Sequence, residues 1–266
     1  MPRRRLDAEL VRRGLVRSRE EARDAVEAGL VLVAGRPADK PARLVADDEP
    51  VQVSAPVRRF VSRGGDKLDA ALERFPVDPA GRDCLDAGAS TGGFTDVLLH
   101  RAAARVLAVD VGYGQLDWSI RTDARVTVLE RTNVRDLRPD AMPFRPSVVV
   151  ADLSFISLVT VLPALVALAT DDADLVLLVK PQFEADRRAV SGGGVVRDPR
   201  VWRAAVERVA AACATAGAGP LDLIVSPLPG PAGNIEFLLH ARVGSPAAAL
   251  PLDDAVAQAE RLAGAA

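Results

Sequence analysis

The chain has 266 residues, 49% hydrophobic and 26% charged, with a net charge of −2. That balance excludes a disordered chain and has room for about two domains. The longest apolar stretch, 158–169, is broken by Thr160 and Pro163 and falls short of the ~20 residues of a membrane helix. No apolar h-region follows the Met-Pro-Arg-Arg-Arg start, so a soluble, cytoplasmic protein is expected. Cys84 and Cys213 have no CxxC spacing and only His100 and His240 accompany them, which argues against a disulfide scaffold or a metal centre.

Charge is unevenly spread. Residues 1–60 carry 13 Lys+Arg against 10 Asp+Glu, and the rest of the chain is net acidic. A basic head on an acidic body suggests a polyanion partner at the head. Arginine outnumbers lysine 31 to three, and the lysines are Lys40, Lys67 and Lys180. Where Arg meets the general demand for charge, a retained Lys points to a position that needs an ammonium or its neutral amine.

In chain order, Leu6, Leu10 and Val11 mark one face of a first helix that Gly14 stops. Ser18–Glu21 fits a capping box for a second helix that runs to about Ala28. Leu30–Val33, a turn at Ala34-Gly35-Arg36, Lys40–Val45 and Val51–Val53 read as one small sheet. The helix pair and the Ala34-Gly-Arg-Pro-Ala-Asp-Lys-Pro41 loop resemble the S4 RNA-binding domain. By that resemblance residues 1–54 are a small α+β S4 domain, with Arg4, Arg5, Arg12, Arg13, Arg17 and Arg19 facing RNA phosphates. Residues 55–62 show no periodic pattern and read as a linker.

From residue 63 onward, strand and helix patterns alternate. Cys84–Asp86, Val106–Asp110, Val126–Leu129, Val148–Ala151, Leu175–Val179, Leu221–Ser226 and Glu236–Arg242 have strand character. Gly93–Ala102, Ser157–Ala169 and Pro199–Ala216 have helical character. This predicts an α/β fold with a mostly parallel seven-stranded sheet covered on both faces. The last two strands are joined too briefly for a crossover helix and are expected to pair antiparallel at an edge.

The first strand runs into Asp86-Ala-Gly-Ala-Ser-Thr-Gly-Gly-Phe94. A glycine turn between strand and helix lets a ligand approach the backbone and the helix N-terminus. The spacing is not the dinucleotide G-x-G-x-x-G, which disfavours a nicotinamide dehydrogenase. Asp110 ends the second strand, where such sheets read a ribose. The pattern is similar to S-adenosylmethionine-dependent methyltransferases. That likeness implies cofactor contacts from Asp86, Gly88, Ser90, Thr91, Gly92, Gly93, Phe94, Asp110, Asn133, Asp152, Leu153 and Ser154, with the Asp152–Phe155 segment lining the methyl-donor pocket.

Lys67, Asp152, Lys180 and Glu236 each fall near the ligand edge, and in this order they match the tetrad of FtsJ-type ribose 2′-O-methyltransferases. Nearly the whole chain, from Arg5–Ser18 through Val61–Leu68 to Ser226–Glu236, resembles the TlyA family, S4-plus-FtsJ-like rRNA methyltransferases also labelled haemolysin A. Membership implies that residues 63–266 form an FtsJ-like domain that uses S-adenosylmethionine and acts on ribosomal RNA or ribosomal subunits, with no metal and no membrane. The family 2′-O-methylates cytidines in 16S and 23S rRNA, and the full-length ends resemble the form that modifies both. The family's interdomain Arg-x-Trp-Val is here Arg58-Arg-Phe-Val61. In the implied mechanism Lys180 is the base, Lys67 positions RNA or the oxygen, and Asp152 and Glu236 orient the lysines. Two alternatives are a membrane-active haemolysin and a non-catalytic S4-type RNA-binding protein.

Overall fold

A computed structural model of the chain describes residues 3–16, 19–54, 59–186 and 193–265. The chain divides into two compact units, 1–58 and 59–266.

In the first unit, helices α1 (Leu6–Arg12) and α2 (Arg19–Glu27) pack Leu6, Leu10, Ala22, Ala25 and Val26 against Val31, Val33 and Val45. Strands β2 (Val31–Val33), β3 (Arg36–Pro37) and β5 (Val51–Val53) form one sheet in the order β3-β2-β5. The expected single sheet does not form. Residues Lys40–Arg43 make a turn, and β4 (Leu44–Ala46) instead pairs antiparallel with β1 (Arg3–Arg5). Three consecutive arginines carry no apolar alternation, so β1 exists through backbone pairing alone and leaves no pattern to read. Arg17 and the capping residue Ser18 lie outside the described residues.

The second unit is a Rossmann-like α/β sandwich. Its elements are α3 (Arg63–Arg74), β6 (Asp83–Ala87), α4 (Gly93–His100), β7 (Arg105–Val109), α5 (Trp118–Arg121), β8 (Val126–Leu129), β9 (Val148–Ala151), α6 (Leu158–Leu168), β10 (Asp174–Val179), α7 (Pro181–Glu184), α8 (Pro199–Thr215), β11 (Ala218–Val225), β12 (Phe237–Val243) and α9 (Leu252–Ala265). The sheet order is β11-β12-β10-β9-β6-β7-β8. All neighbours pair parallel except β12, which runs antiparallel to both β10 and β11. The last strand is therefore inserted inside the sheet, and β11 is the edge.

Burial on both faces explains the continuous apolar runs. Val148 and Val150 point into the layer of α3, α4 and α5, while Val149 and Ala151 point into the layer of α6, α8 and α9. The C-terminal half of the expected linker belongs to this unit. Phe60 is buried in the α3–α4 layer, edge-on to His100 at 5.6 Å, and the Val61 N–H donates to Asp96 at 2.8 Å. Helices α3, α5, α7 and α9 were not anticipated. Two are a single turn long, and α3 opens with Arg-Gly-Gly-Asp, a poor helix signal.

At the end of the sheet opposite the strands' carboxyl termini, Asp174 is buried. Arg82 donates to it at 2.8 Å, and the His240 ring nitrogen Nε2 lies 3.0 Å from its other oxygen. Burial opposes its charge, but these partners outweigh burial and hold its carboxyl below the usual range. The stabilisation is thus present above the ordinary carboxylate pKa and fades as pH falls below it. Asp174→Asn is expected to lower unfolding free energy by about 3 kcal/mol, the scale for breaking a buried pair. Urea denaturation at neutral pH measures the loss, which should shrink in acid.

Candidate active site

The chain leaves β6 toward β7 and β9 toward β10, on opposite sides. A crevice opens at such a switch point, outside the strands' carboxyl ends. Here the Asp152 N–H donates to the Ala87 carbonyl at 3.0 Å, and Gly88 has φ +90°. A Cβ on Gly88 would collide with the Asp152 carbonyl, so only glycine lets the two loops meet. Gly92, at φ +96°, caps α4, and a Cβ on Gly93 would strike Ser62. The close seating of α3 on α4 therefore needs Gly93.

Asp86 is fully buried at the end of β6. Its Oδ2 accepts from the Thr95 hydroxyl at 2.7 Å, and its Oδ1 has no hydrogen-bond partner. Burial pushes its carboxyl up to about 7; Thr95 opposes this, and the nearby charges of Asp152 and Asp110 add to it. Asp110 accepts from the Ser90 N–H at 2.8 Å and from the Gly112 N–H at 2.6 Å, so it braces the glycine turn. Beside it a cavity is lined by Ser90, Asp110, Gln115, Leu116, Val128 and Glu130. Of these, only Ser90 and Asp110 were legible as site residues. Thr91 accepts from the Asp117 N–H through its carbonyl, which ties the turn to α5.

Two of the expected cofactor residues have partners within the protein. Phe94 is buried in the core between sheet, α3 and α4. The Asn133 side chain accepts from the Arg135 N–H and caps a 3₁₀ turn. The Leu153 side chain packs near Gly88.

The four expected catalytic residues form two pairs. Lys67 Nζ donates to Glu236 Oε2 at 2.6 Å, with both side chains buried. Lys180 Nζ lies 2.6 Å from Asp152 Oδ1 and donates to the Ser154 hydroxyl at 2.9 Å, in a more open setting. Gly64, one turn before Lys67 on α3, brings the pairs near each other, since a Cβ there would lie 3.8 Å from Asp152 Oδ2. A Cβ on Gly230 would collide with Glu236 Oε1, so the loop before β12 closes over the inner pair.

Sequence reading missed Glu184 and singled out Phe155 only as the end of the Asp152–Phe155 segment. Phe155 is 92% exposed with φ +64°, an uncommon conformation for a bulky residue, and its ring lies 5.3 Å from that of Phe183. Lys180 Nζ is 5.9 Å from the Phe183 ring. The signal available was the placement of two of only seven phenylalanines just after Asp152 and Lys180. Glu184 is buried and accepts from the Ser157 hydroxyl at 2.5 Å and the Leu158 N–H at 2.7 Å. It ties the loop bearing Asp152 and Phe155 to the helix after Lys180.

In the first unit the expected RNA-facing arginines surround two buried acids. Arg5 and Arg19 hold Asp7; Arg12 and Arg13 hold Glu9; Arg4 pairs with Asp47. Arg5 foremost, then Arg19 against the opposing effect of burial, brings Asp7 down to about 2. Arg12 and Arg13 do the same for Glu9, also to about 2. Arg13 also donates to the carbonyls of Ala46, Asp47 and Glu49, so it works as an internal strut.

Among known proteins, the FtsJ-like methyltransferase family matches residues 60–243 and the S4 domain family matches residues 4–51. The 16S/23S rRNA (cytidine-2′-O)-methyltransferase TlyA of Mycobacterium tuberculosis is 55% identical over 96% of this chain and 96% of its own. Hemolysin A of Brachyspira hyodysenteriae is 37% identical over 89% of this chain and 98% of its own. A solved structure from Streptococcus thermophilus superposes with a TM-score of 0.80 at 41% identity, covering 98% of this chain and 97% of that one.

Two outcomes follow from the geometry. A cationic ligand beside Asp86 favours its charged form, so at pH 6 binding should release a proton and affinity should rise with pH through about 7. Titration calorimetry in buffers of different ionisation heat reads that proton, and Asp86→Asn should abolish it. Separately, Glu236→Gln strands the buried Lys67 ammonium and should cost about 3 kcal/mol of stability. Asp152→Asn should cost less than half as much, because Asp152 stands in a more open place than Glu236 and Lys180 keeps Ser154. Chemical denaturation of the two variants compares them.

Proposed function

This chain belongs to the TlyA family of FtsJ-like methyltransferases, and from that membership we propose that it methylates the ribose 2′-oxygen of cytidines in 16S and 23S ribosomal RNA. It is a methyltransferase, and S-adenosylmethionine is its methyl donor. The residues at the crevice fit a cationic donor. Asp86 Oδ1 is buried without a partner, and Asp110 and Asp152 add negative charge around it. Asp110 can also accept from ribose hydroxyls, since each carboxylate oxygen has two lone pairs and each so far accepts one N–H. When bound, S-adenosylmethionine supplies an electrophilic methyl group on a sulfonium.

The observation that carries the acceptor chemistry is the pair of lysine–carboxylate contacts at the sheet's carboxyl edge. A ribose hydroxyl is a weak acid, so attack by its oxygen needs a base for the proton. Lys180 is the group placed to take that proton, a role open to it only as the neutral amine. Asp152 and Ser154 fix Nζ from two directions, which orients what remains of its coordination toward the hydroxyl. Lys67, buried and pinned by Glu236, adds positive charge behind the point where negative charge develops on the oxygen. Phe155 offers an exposed aromatic face beside this point, suited to stacking an unpaired base. Full-length similarity to a relative named for both rRNAs supports the two-substrate reading.

The hemolysin name of the Brachyspira relative raises a membrane activity, but among the described residues no helix is long and apolar enough to cross a membrane.

Lys180→Ala is expected to lower methyl transfer by about 10²–10⁴-fold, the contribution of a general base, while donor binding persists. Lys180→Arg should not rescue it, because a guanidinium keeps its proton. Mapping 2′-O-methylated riboses in rRNA treated with each variant, alongside calorimetry with S-adenosylmethionine, checks both. Retained activity in Lys180→Arg would remove Lys180 as the base. An absence of donor binding in the unmodified protein would favour a purely RNA-binding role.

A further inference from the structure

Two acids buried beneath a surface of arginines are out of place on charge alone. A carboxylate weakens attraction to a polyanion, and burying one is costly unless it is paired. Asp7 and Glu9 are both fully buried on α1. Asp7 accepts from Arg5 Nε at 3.1 Å and Nη2 at 3.0 Å, and from Arg19 Nη2 at 2.9 Å, with Arg23 Nε 3.9 Å away. Glu9 accepts from Arg12 Nε at 2.8 Å and Nη2 at 2.5 Å, and from Arg13 Nε at 2.7 Å, with Arg4 Nη1 3.9 Å away. With exposed Asp47, which pairs with Arg4 and lies 3.4 Å from Arg12 Nη2, three negative charges gather six arginines, and the cluster stays cationic.

The arginines divide by exposure. The Arg13 side chain is only 20% exposed and spends its donors on the protein. Those of Arg5, Arg12 and Arg19 are 48%, 49% and 53% exposed, yet their head groups are held. Exposed arginines ordinarily sample many rotamers, and fixing them is a cost that falls on binding. Arg5 and Arg12 are gripped through Nε and one terminal nitrogen, and a guanidinium has five N–H donors. Each therefore retains donors for a second acceptor.

We propose that Asp7 and Glu9 are positioning residues for RNA recognition, buried carboxylates that hold Arg5, Arg12 and Arg19 as a preset array for backbone phosphates. This rests on the reading of the protein as an rRNA-modifying enzyme with its S4 domain on the RNA. A merely structural role for the acids, at the N-terminal turn of α1, does not explain why each grips exposed arginines as well as a backbone N–H or a strut.

The inference reverses the sign expected from charge. Glu9→Gln adds a positive charge and should still weaken RNA binding, by about threefold for each arginine released. Asp48→Asn makes the same change of charge at an exposed residue and should bind no more weakly than the unmodified protein. Arg12→Lys keeps the charge but loses the gripped fork, and should weaken binding as well. The experiment is binding of the full-length protein and these variants to a transcribed 23S rRNA fragment across a salt series, with S-adenosylmethionine calorimetry and thermal unfolding to confirm an intact fold. Glu9→Gln binding as tightly as the unmodified protein, or equal weakening by Asp48→Asn, overturns the proposal. If Glu9→Gln unfolds the first unit, Arg12→Lys decides, because Arg12 lies outside the core, and unchanged affinity in it overturns the proposal. Arg5→Ala, Arg12→Ala and Arg19→Ala separate the two levels. Unchanged affinity and salt slope in all three would remove the RNA-binding reading of the array. Weakening in these with none in Glu9→Gln would remove only the positioning role.

Discussion

Three carboxylates, Asp86, Asp110 and Asp152, stand at or just past the ends of β6, β7 and β9, and the site depends on the burial of the innermost, Asp86, with the charges of the other two beside it. Each is answered differently. Thr95 serves one oxygen of Asp86, backbone N–H groups serve Asp110, and Lys180 serves Asp152. What remains is negative and concave at the strand switch point, which is the electrostatic counterpart of a cationic methyl donor. The glycine turn answers a steric demand at the same place, because Gly88 lets the loop after β6 lie directly on the backbone after β9.

The two lysine–carboxylate pairs do different physical work. The inner pair of Lys67 and Glu236 is sealed between α3 and the loop before β12, where losing either partner leaves a charge without water. The outer pair of Lys180 and Asp152 is open enough for a substrate to approach. Lys180 and Phe155 sit on separate loops, and Glu184 joins those loops through Ser157 and Leu158. Burial pushes the Glu184 carboxyl up against the opposing effect of those two hydrogen bonds, a sign that its place is costly and held by packing. The chemistry at the outer pair is therefore supported by residues that do not touch it.

The first unit applies the same physics toward a different end. There the acids are inside and the arginines outside, so neutralisation becomes orientation. Arg13 closes the carbonyl ends of the β4–β5 turn, while its neighbours on α1 and α2 stay at the surface. A basic surface can thus be ordered as well as charged.

Much of the second unit was legible because strands buried on both faces are written as apolar runs, and all seven strands of the sheet, antiparallel β12 included, were found within a few residues of their observed bounds. The glycine turn, the strand-end acids and the scarce lysines were legible for the same reason: their positions follow from local pattern and from scarcity. Strand β1 and helix α3 were not, since an Arg-Arg-Arg strand and a helix opening on Gly-Gly have no local preference for what they become. Nor could one-dimensional order show that Phe94 faces the core, that β12 inserts between β10 and β11, or which lysine pairs with which carboxylate. The residues of the inner pair are 169 positions apart. The sequence alone determined which chemical groups reach the ligand edge, because strand ends deliver them there. The tertiary structure decided their partners and burial, because those depend on loops and helices meeting across the sheet, where packing outweighs local propensity.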